Sequence, residues 1–258
     1  MGLGSMRGAA WAKAKTEGID TKRERQIRAL FEAIQPAALE VGAIRSIDLA
    51  QARELDRKRT EKGMEPRYTR QKANGDVDLA QATVGNWHGR EAHEWPEAIL
   101  RRTKSLARRN VQDSAAIFVR VAMPGSMHPG VFLIDDLDAD AIEDIRTAGL
   151  EPSAIVRTSP DSHQAWVRLS DKPVAATTAQ AVGGYLNQVF GDSRANNAAQ
   201  PGRLPGFTNR KPQHENDGRF PFVALVEAGC RTASNGAAWI RSAVENTAER
   251  GMAVPPPV

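Results

Sequence analysis

The sequence predicts an α+β fold in which one β-α-β-β-α-β unit carries the function, and three features lead there. Val131-Phe132-Leu133-Ile134-Asp135-Asp136-Leu137 runs four large apolar residues into two adjacent carboxylates. Such a run reads as a strand buried on both faces, because a half-exposed strand would alternate. From residue 131 onward, apolar patterns follow one another in the order strand, helix, strand, strand, helix, strand. The last strand is preceded by an irregular 31-residue stretch, 191–221. A segment of that length inside a compact domain marks a functional loop.

The chain has 258 residues, enough for one large domain or two small ones. Charged residues make up 26% and apolar residues 41%, with a mean hydropathy of -0.47. No apolar run approaches the ~18 residues of a membrane span, and the start lacks the apolar core of a signal peptide. Cys230 is the single cysteine, which excludes disulfide frameworks and thiolate metal sites. These features predict a cytoplasmic protein with no membrane partner. Charge is uneven: residues 1–110 hold 22 Lys+Arg against 15 Asp+Glu, and the remainder 13 against 16. A basic first half beside an acidic second half suits a polyanionic partner such as nucleic acid, although a solubilising excess produces the same numbers.

In chain order, residues 1–18 are small-residue-rich and read as frayed. Ile27, Leu30, Phe31 and Ile34 recur at helical spacing and predict a helix over 21–40. A second helix is expected over 46–62, with Leu49, Ala52 and Leu55 on one face. Its basic residues Arg57, Lys58, Arg59 and Lys62 fit a solvated face or a phosphate-binding one. Residues 63–75, with Pro66 and Asn74-Gly75, read as a loop or linker. His88 and His93, near Trp87 and Trp95, lack any carboxylate frame for a metal. A helix through Arg109 follows Pro96 and is basic at its far end, with Arg101, Arg102, Lys104, Arg108 and Arg109.

Residues 115–121 and 131–135 are expected strands. The helix of 140–149 is capped by Asp138 or Asp140 and ended by Gly149. Strands at 154–158 and 163–169 flank a Ser159-Pro160-Asp161-Ser162 turn. A helix at 175–190, a strand at 222–227 and a short helix at 237–250 complete the chain. The order from 131 is the split-βαβ arrangement shared by ferredoxin-like and RNA-recognition-type domains. In that topology the first and third strands are central antiparallel neighbours and the fourth flanks the first. Asp135 and Asp136, residues 159–163 and the 191–221 segment should therefore converge on one edge.

That edge would gather Asp135, Asp136 and Asp192 with His163, Arg194, Arg203, Arg210, Lys211 and His214. Two aspartates at the end of a buried strand are costly without a cation. Divalent Mg²⁺ or Mn²⁺ held by carboxylate oxygens meets that need. Three carboxylates facing this many bases is the composition of a metal-dependent phosphoryl-transfer site, with the basic residues neutralising phosphate. A helix-capping role for the acids and a surface salt-bridge network are the competing readings.

The strings VFLIDDL, GLEPSAIVRTSPDSHQAWVRL and GRLPGFTNRKPQH, in this order and spacing, resemble the RepB′-type plasmid primases of the archaeo-eukaryotic primase superfamily. The family includes the primase segment of relaxase–primase fusions. The resemblance spans about residues 94–226. It implies a primase-type catalytic fold in which Asp135 and Asp136 bind the catalytic metals. It implies the same for Asp192, ten residues before Gly202. It places His163 in the region of a nucleotide-phosphate contact, and Arg203, Asn209, Arg210 and Lys211 in a basic string for the incoming nucleotide or template phosphates. Trp166 reads as a core anchor. The family's helical bundle behind the catalytic domain has no match beyond the 237–250 helix, and the basic region ahead of residue 90 has no recognised counterpart.

Three segments are thus expected: a basic, mostly helical N-terminal region (1–90), a primase-like catalytic domain (91–228), and a short helix with a Pro-rich tail (229–258). The expected activity is primer synthesis from nucleoside triphosphates on single-stranded DNA in plasmid or mobile-element replication. A replicative helicase or relaxase is the expected partner. The alternatives are a non-catalytic single-stranded DNA or origin-binding module and a metal-dependent nuclease on the same aspartates.

Overall fold

A computed structural model describes residues 21–35, 38–45, 49–71, 77–79, 82–83, 88–91, 97–195 and 197–249. The 1–18 segment read as frayed from the sequence, Asn74-Gly75, Trp87, His93, Trp95 and the Pro-rich tail lie outside them. The first helix, α1, runs over 21–34 and buries Ile27, Leu30, Phe31, Ala33 and Ile34. It stops earlier than its periodicity predicts. Gln35 precedes Pro36, whose ring disfavours helical backbone before it, and Gln35 takes a φ of 34°. The side chain of Arg168, buried in a distant strand, donates to the terminal carbonyls of Ile34 and Gln35, a cation at the negative end of the helix.

The residues expected to finish that helix instead form strand β1 (Ala38–Arg45). Leu39, Val41 and Ala43 alternate inward, the period of a strand. Helix α2 (Leu49–Thr60) follows. Its buried Asp56 accepts from the backbone N–H groups of Arg67, Tyr68 and Thr69, ordering the segment read as a linker. There β2 (Thr69–Gln71) pairs with β3 (Val77–Leu79). Strands β4 (Ala82–Thr83) and β5 (His88–Glu91) both pair with β1. The expected basic helix is broken into α3 (Glu97–Leu100) and α4 (Thr103–Gln112). At the break Arg102 N–H bonds back only three residues, to Ile99 O, at 2.8 Å.

Strand β6 (Ala116–Val121) pairs with β1 along most of its length. After β7 (Met127–His128) comes β8 (Val131–Leu137), the aspartate strand. Helix α5 (Ala139–Thr147) is capped by Asp138, which accepts from Ala141 N–H at 2.8 Å, and closed by Gly149 at φ +73°. Strands β9 (Ala154–Ser159) and β10 (Ser162–Arg168) form the expected hairpin. Then come β11 (Val174–Ala175), α6 (Ala176–Phe190), β12 (Gly202–Arg203), β13 (Ala224–Ala228) and α7 (Gly236–Glu249).

Two sheets carry the molecule. The first is ordered β12-β6-β1, with β4 and β5 on the far edge of β1; the second is β13-β9-β10-β8. In the second sheet β8 and β10 are antiparallel neighbours, as expected. The fourth strand, however, pairs with β9 and not with β8, so β8 stands at an edge. The reason is local. Asn187, fully buried on α6, donates to Leu133 O and accepts from Asp135 N–H, both at 2.8 Å. Asp192 N–H then bonds Asp135 O at 3.0 Å. One side chain and one turn occupy the edge a strand would have taken.

The four apolar residues of β8 are buried on both faces, as the run predicts. Phe132 and Ile134 pack with α5, α6 and α7; Val131 and Leu133 pack with Trp166, α1 and the first sheet. Trp166 is a core anchor, 1% exposed. Because α1 and β1 share a hydrophobic cluster with Trp166 and Phe207, the core runs across the boundary expected at residue 90.

Candidate active site

Adjacent residues of a regular strand point to opposite faces. Asp135 and Asp136 nevertheless line one cavity, of about 340 Å³, and the register shows how. Leu133 pairs with Trp166 and Ile134 with Ala165, but Leu137 pairs with His163. Two residues of β8 thus stand opposite one residue of β10, Gln164: a β-bulge. Asp136 sits at φ +59°, a left-handed conformation uncommon outside glycine and best tolerated by Asn and Asp. It is held there by its own N–H bonding Asp135 Oδ1 at 2.8 Å, and by Ser162 Oγ donating to its carboxylate at 3.0 Å.

The cavity lies where the end of the second sheet meets β12 and β6 of the first, lined on the far side by Phe118, Arg203, Asn209, Lys211 and His214. Gln164, 3% exposed, spans the junction. Its Nε2 donates to Asp135 Oδ1 and its Oε1 accepts from Arg203 N–H, both at 2.8 Å. Two glycines permit the close approach. A Cβ on Gly191 would stand 2.3 Å from Asp135 O, and one on Gly202 2.6 Å from the Trp166 ring.

Asp135 and Arg203 do not neutralise one another. Burial raises the Asp135 carboxyl above its ordinary value, against the opposing effects of Gln164, the Asp136 N–H, Lys211 and Arg203. Burial also lowers Arg203, to about 10, with Asp135 pulling the other way. A close ion pair would shift both in the opposite sense, so desolvation governs here. Arg203 stacks over Phe118 at 4.9 Å, and its Nη1 is buried without a hydrogen-bond partner. Asp135 therefore favours a cation beside it, and Arg203 an anion. Asp192 is lowered by Arg194, which holds its two oxygens at 2.9 and 3.0 Å. His214 is lowered by burial and by Lys211 and Arg203.

Of the residues the sequence nominates, Asp135, Asp136, Asp192, Arg194, Arg203, Asn209, Lys211 and His214 line this cavity; His163 and Arg210 do not. The pleat that sends Ser162 and Gln164 inward sends His163 to the other face. Arg210 stacks over Phe220 at 4.6 Å. Asn209, 1% exposed, ties the loop to β9 by donating to Thr158 O at 3.0 Å. Among the described residues no group of three or more His, Cys, Asp or Glu side chains is arranged to hold a metal ion. Asp135 and Asp136 share the bulge, while Asp192 faces Arg194.

Sequence reasoning missed Gln164, Ser162 and Phe118. The first two lie in the SHQAW string, where period-2 alternation separates 162 and 164 from 163; that signal was present but does not say which set faces the aspartates.

A family model described as the RepB DNA-primase N-terminal domain matches residues 67–250. Mobilization protein A of Escherichia coli is 32% identical over 170 residues, 65% of this chain and 23% of that protein. A DNA primase of Acidithiobacillus ferrooxidans is 36% identical over 103 residues, 37% of this chain and 28% of that one. The matched part is thus only about a quarter of either relative's length. The crystal structure of the catalytic domain of primase RepB′ in complex with initiator DNA superposes with a TM-score of 0.61 at 23% identity, covering 89% of this chain and 97% of that one. A crystal structure of primase RepB′ gives 0.62 at 24%, covering 90% and 64%. At these identities the likeness shows the fold, an α+β primase catalytic fold built on antiparallel sheets. Matched over most of its length by the family model, the chain belongs to the RepB DNA-primase N-terminal domain family.

Proposed function

We propose that this chain is a DNA primase domain that joins nucleoside triphosphates into a short primer on a single-stranded DNA template, in plasmid or mobile-element replication. The observation that carries this is the bulge aiming Asp135 and Asp136 together into a cavity whose opposite wall holds a buried arginine with no hydrogen-bond partner at its Nη1. A site that favours a cation on one wall and an anion on the other suits a metal–triphosphate substrate.

Asp135 and Asp136 fit a divalent ion, Mg²⁺ or Mn²⁺, by their hard oxygens and by the desolvation of Asp135. Asp192, in the same cavity, is the third candidate ligand. When bound, such an ion supplies Lewis-acid stabilisation of phosphoryl charge and a more acidic attacking hydroxyl. The chain's own groups do the rest. Arg203 and Lys211 neutralise the triphosphate as negative charge moves onto the leaving pyrophosphate. Asn209 fixes the loop that carries Lys211, its Oδ1 accepting from Lys211 N–H at 3.2 Å. Roles for His163, Arg210 and His214 in holding nucleotide or template belong to the same proposal, as outer contacts for the first two. A relaxase or replicative helicase is the partner this reading expects, supported by the match to a mobilisation protein.

The test is incorporation of labelled triphosphates on mixed-sequence single-stranded DNA with Mg²⁺ or Mn²⁺. Short labelled products are expected. DNA binding that is metal-independent and salt-sensitive, with no incorporation under any condition, would favour the non-catalytic module instead.

A further inference from the structure

We infer that Gln164 is a positioning residue for the aspartate pair: it sets the orientation of the Asp135 carboxylate and locks it to the arginine wall of the cavity. This rests on the proposed metal site at Asp135 and Asp136. Gln164 is the single residue of β10 opposite the two aspartates, so it alone faces both positions across the strand pair. Its amide is engaged at both ends. The Nε2 end donates to Asp135 Oδ1 and the Oε1 end accepts from Arg203 N–H, each at 2.8 Å. A buried amide with both ends engaged has one orientation, since turning it over would face like against like.

The same Asp135 Oδ1 also accepts from Asp136 N–H at 2.8 Å. Two donors therefore converge on one oxygen, and among the described residues none donates to Oδ2, which is left to the cavity. Groups that orient a ligating carboxylate in this way commonly shift metal affinity about 10–100-fold when removed. Gln164 also joins the two sheets, since Asp135 lies in one and Arg203 in the other. One side chain thereby bridges the cation-seeking and anion-seeking walls. A glutamine matches both ends here. An ionised carboxylate, which has no donor, could not make the bond to Asp135.

The test is Gln164→Met, which keeps the length and removes both hydrogen bonds, read in the full chain by three measurements. Direct Mn²⁺ binding, followed by the electron paramagnetic resonance signal of the free ion, should weaken about 10-fold or more. Primer synthesis should lose kcat by a similar factor, with the nucleotide KM held within about threefold. In the Asp135→Ala background the same substitution should add little further loss of Mn²⁺ binding, because residues acting through one another are not additive. Mn²⁺ binding unchanged within twofold, or a full additional loss in the Asp135→Ala background, would overturn the assignment. If the methionine variant does not fold, Gln164→Glu at pH 8 carries the test, because it keeps the acceptor for Arg203 N–H and replaces the donor with a carboxylate. Lost synthesis in a variant that still folds is then expected, and wild-type synthesis would overturn the assignment. A wild-type chain that binds Mn²⁺ but makes no primers would sink the primase reading alone, since the Mn²⁺ comparison still reports on Gln164.

Discussion

Asn187→Ala is the substitution that most directly probes why the aspartate strand can stand at a sheet edge. Asn187 is fully buried, and its amide makes three hydrogen bonds. Two run to β8, at 2.8 Å each; the third goes to Gly183 O at 3.0 Å within α6. Alanine leaves Asp135 N–H and Leu133 C=O without partners on an edge no strand covers. A buried backbone group left unpaired costs about 1–3 kcal/mol. Two of them cost about 2–6 kcal/mol, with the lower half of that range applying if water enters the vacated space. We expect about 3 kcal/mol, a large share of the ~5–15 kcal/mol typical of a folded domain. For a chain of this size that lowers the melting temperature by about 6–12 °C. Urea unfolding with an unchanged slope is the assay. Primer synthesis should fall too, because Asp135 loses a backbone anchor. A stability loss below about 0.5 kcal/mol would refute the idea that this one amide replaces a strand.

Further outcomes follow from other parts of the structure. His128 is fully buried: Gly130 N–H donates to its Nδ1, so Nε2 carries the proton given to Ala198 O, and burial lowers its pKa from 6.5 to about 4. The unfolded chain therefore takes up a proton that the folded one refuses as pH falls from 6.5 towards 4. Stability should drop by about 2 kcal/mol between pH 7 and pH 5 from this group, and urea midpoints of wild type and His128→Leu should show the slope reduced in the variant. Gly202→Ala drives a methyl to 2.6 Å from the Trp166 ring and should cost about 1–3 kcal/mol by thermal melting; a neutral result would mean β12 is free to shift. Helix α4 carries Lys104 and Arg108 on its exposed side, with Arg101 just before it and no acidic residue within it. If it contacts template phosphates, alanine at all three should weaken single-stranded DNA binding for every sequence and lower the salt slope by about 2; an unchanged slope would remove α4 from the interface.

Much of this was legible because it rests on local pattern. The apolar run of β8, the Asp138 cap, the Gly149 stop and the β9–β10 hairpin are written in consecutive residues. The meeting of Asp135 and Asp136 with residues 159–163 followed from the pairing of β8 with β10, whereas Asp192 and the Arg203–Lys211 loop were expected there from a fourth strand beside β8 and reach the site although that strand pairs with β9. What failed depended on single long-range interactions. The edge position of β8 is decided by Asn187, one polar residue on an otherwise apolar helix face. The end of α1 depends on Arg168, more than 130 residues away, as well as on Pro36. Strand β1 was hidden because Leu39, Val41 and Ala43 continue an apolar density that a helix also tolerates. Gln164 outranked His163 because a bulge, which no periodicity announces, sets both aspartates opposite the even-numbered face of β10.

The central claim is that the bulged Asp135–Asp136 pair performs nucleotidyl transfer. The measurement is primer synthesis on single-stranded DNA by wild type, Asp135→Asn and Asp136→Asn, with DNA affinity and melting temperature recorded for each. The account predicts short labelled products from wild type and at least a ~100-fold loss in both variants, with DNA affinity and folding preserved. Variants that still prime at near-wild-type rates would contradict it and remove these two aspartates from the chemistry.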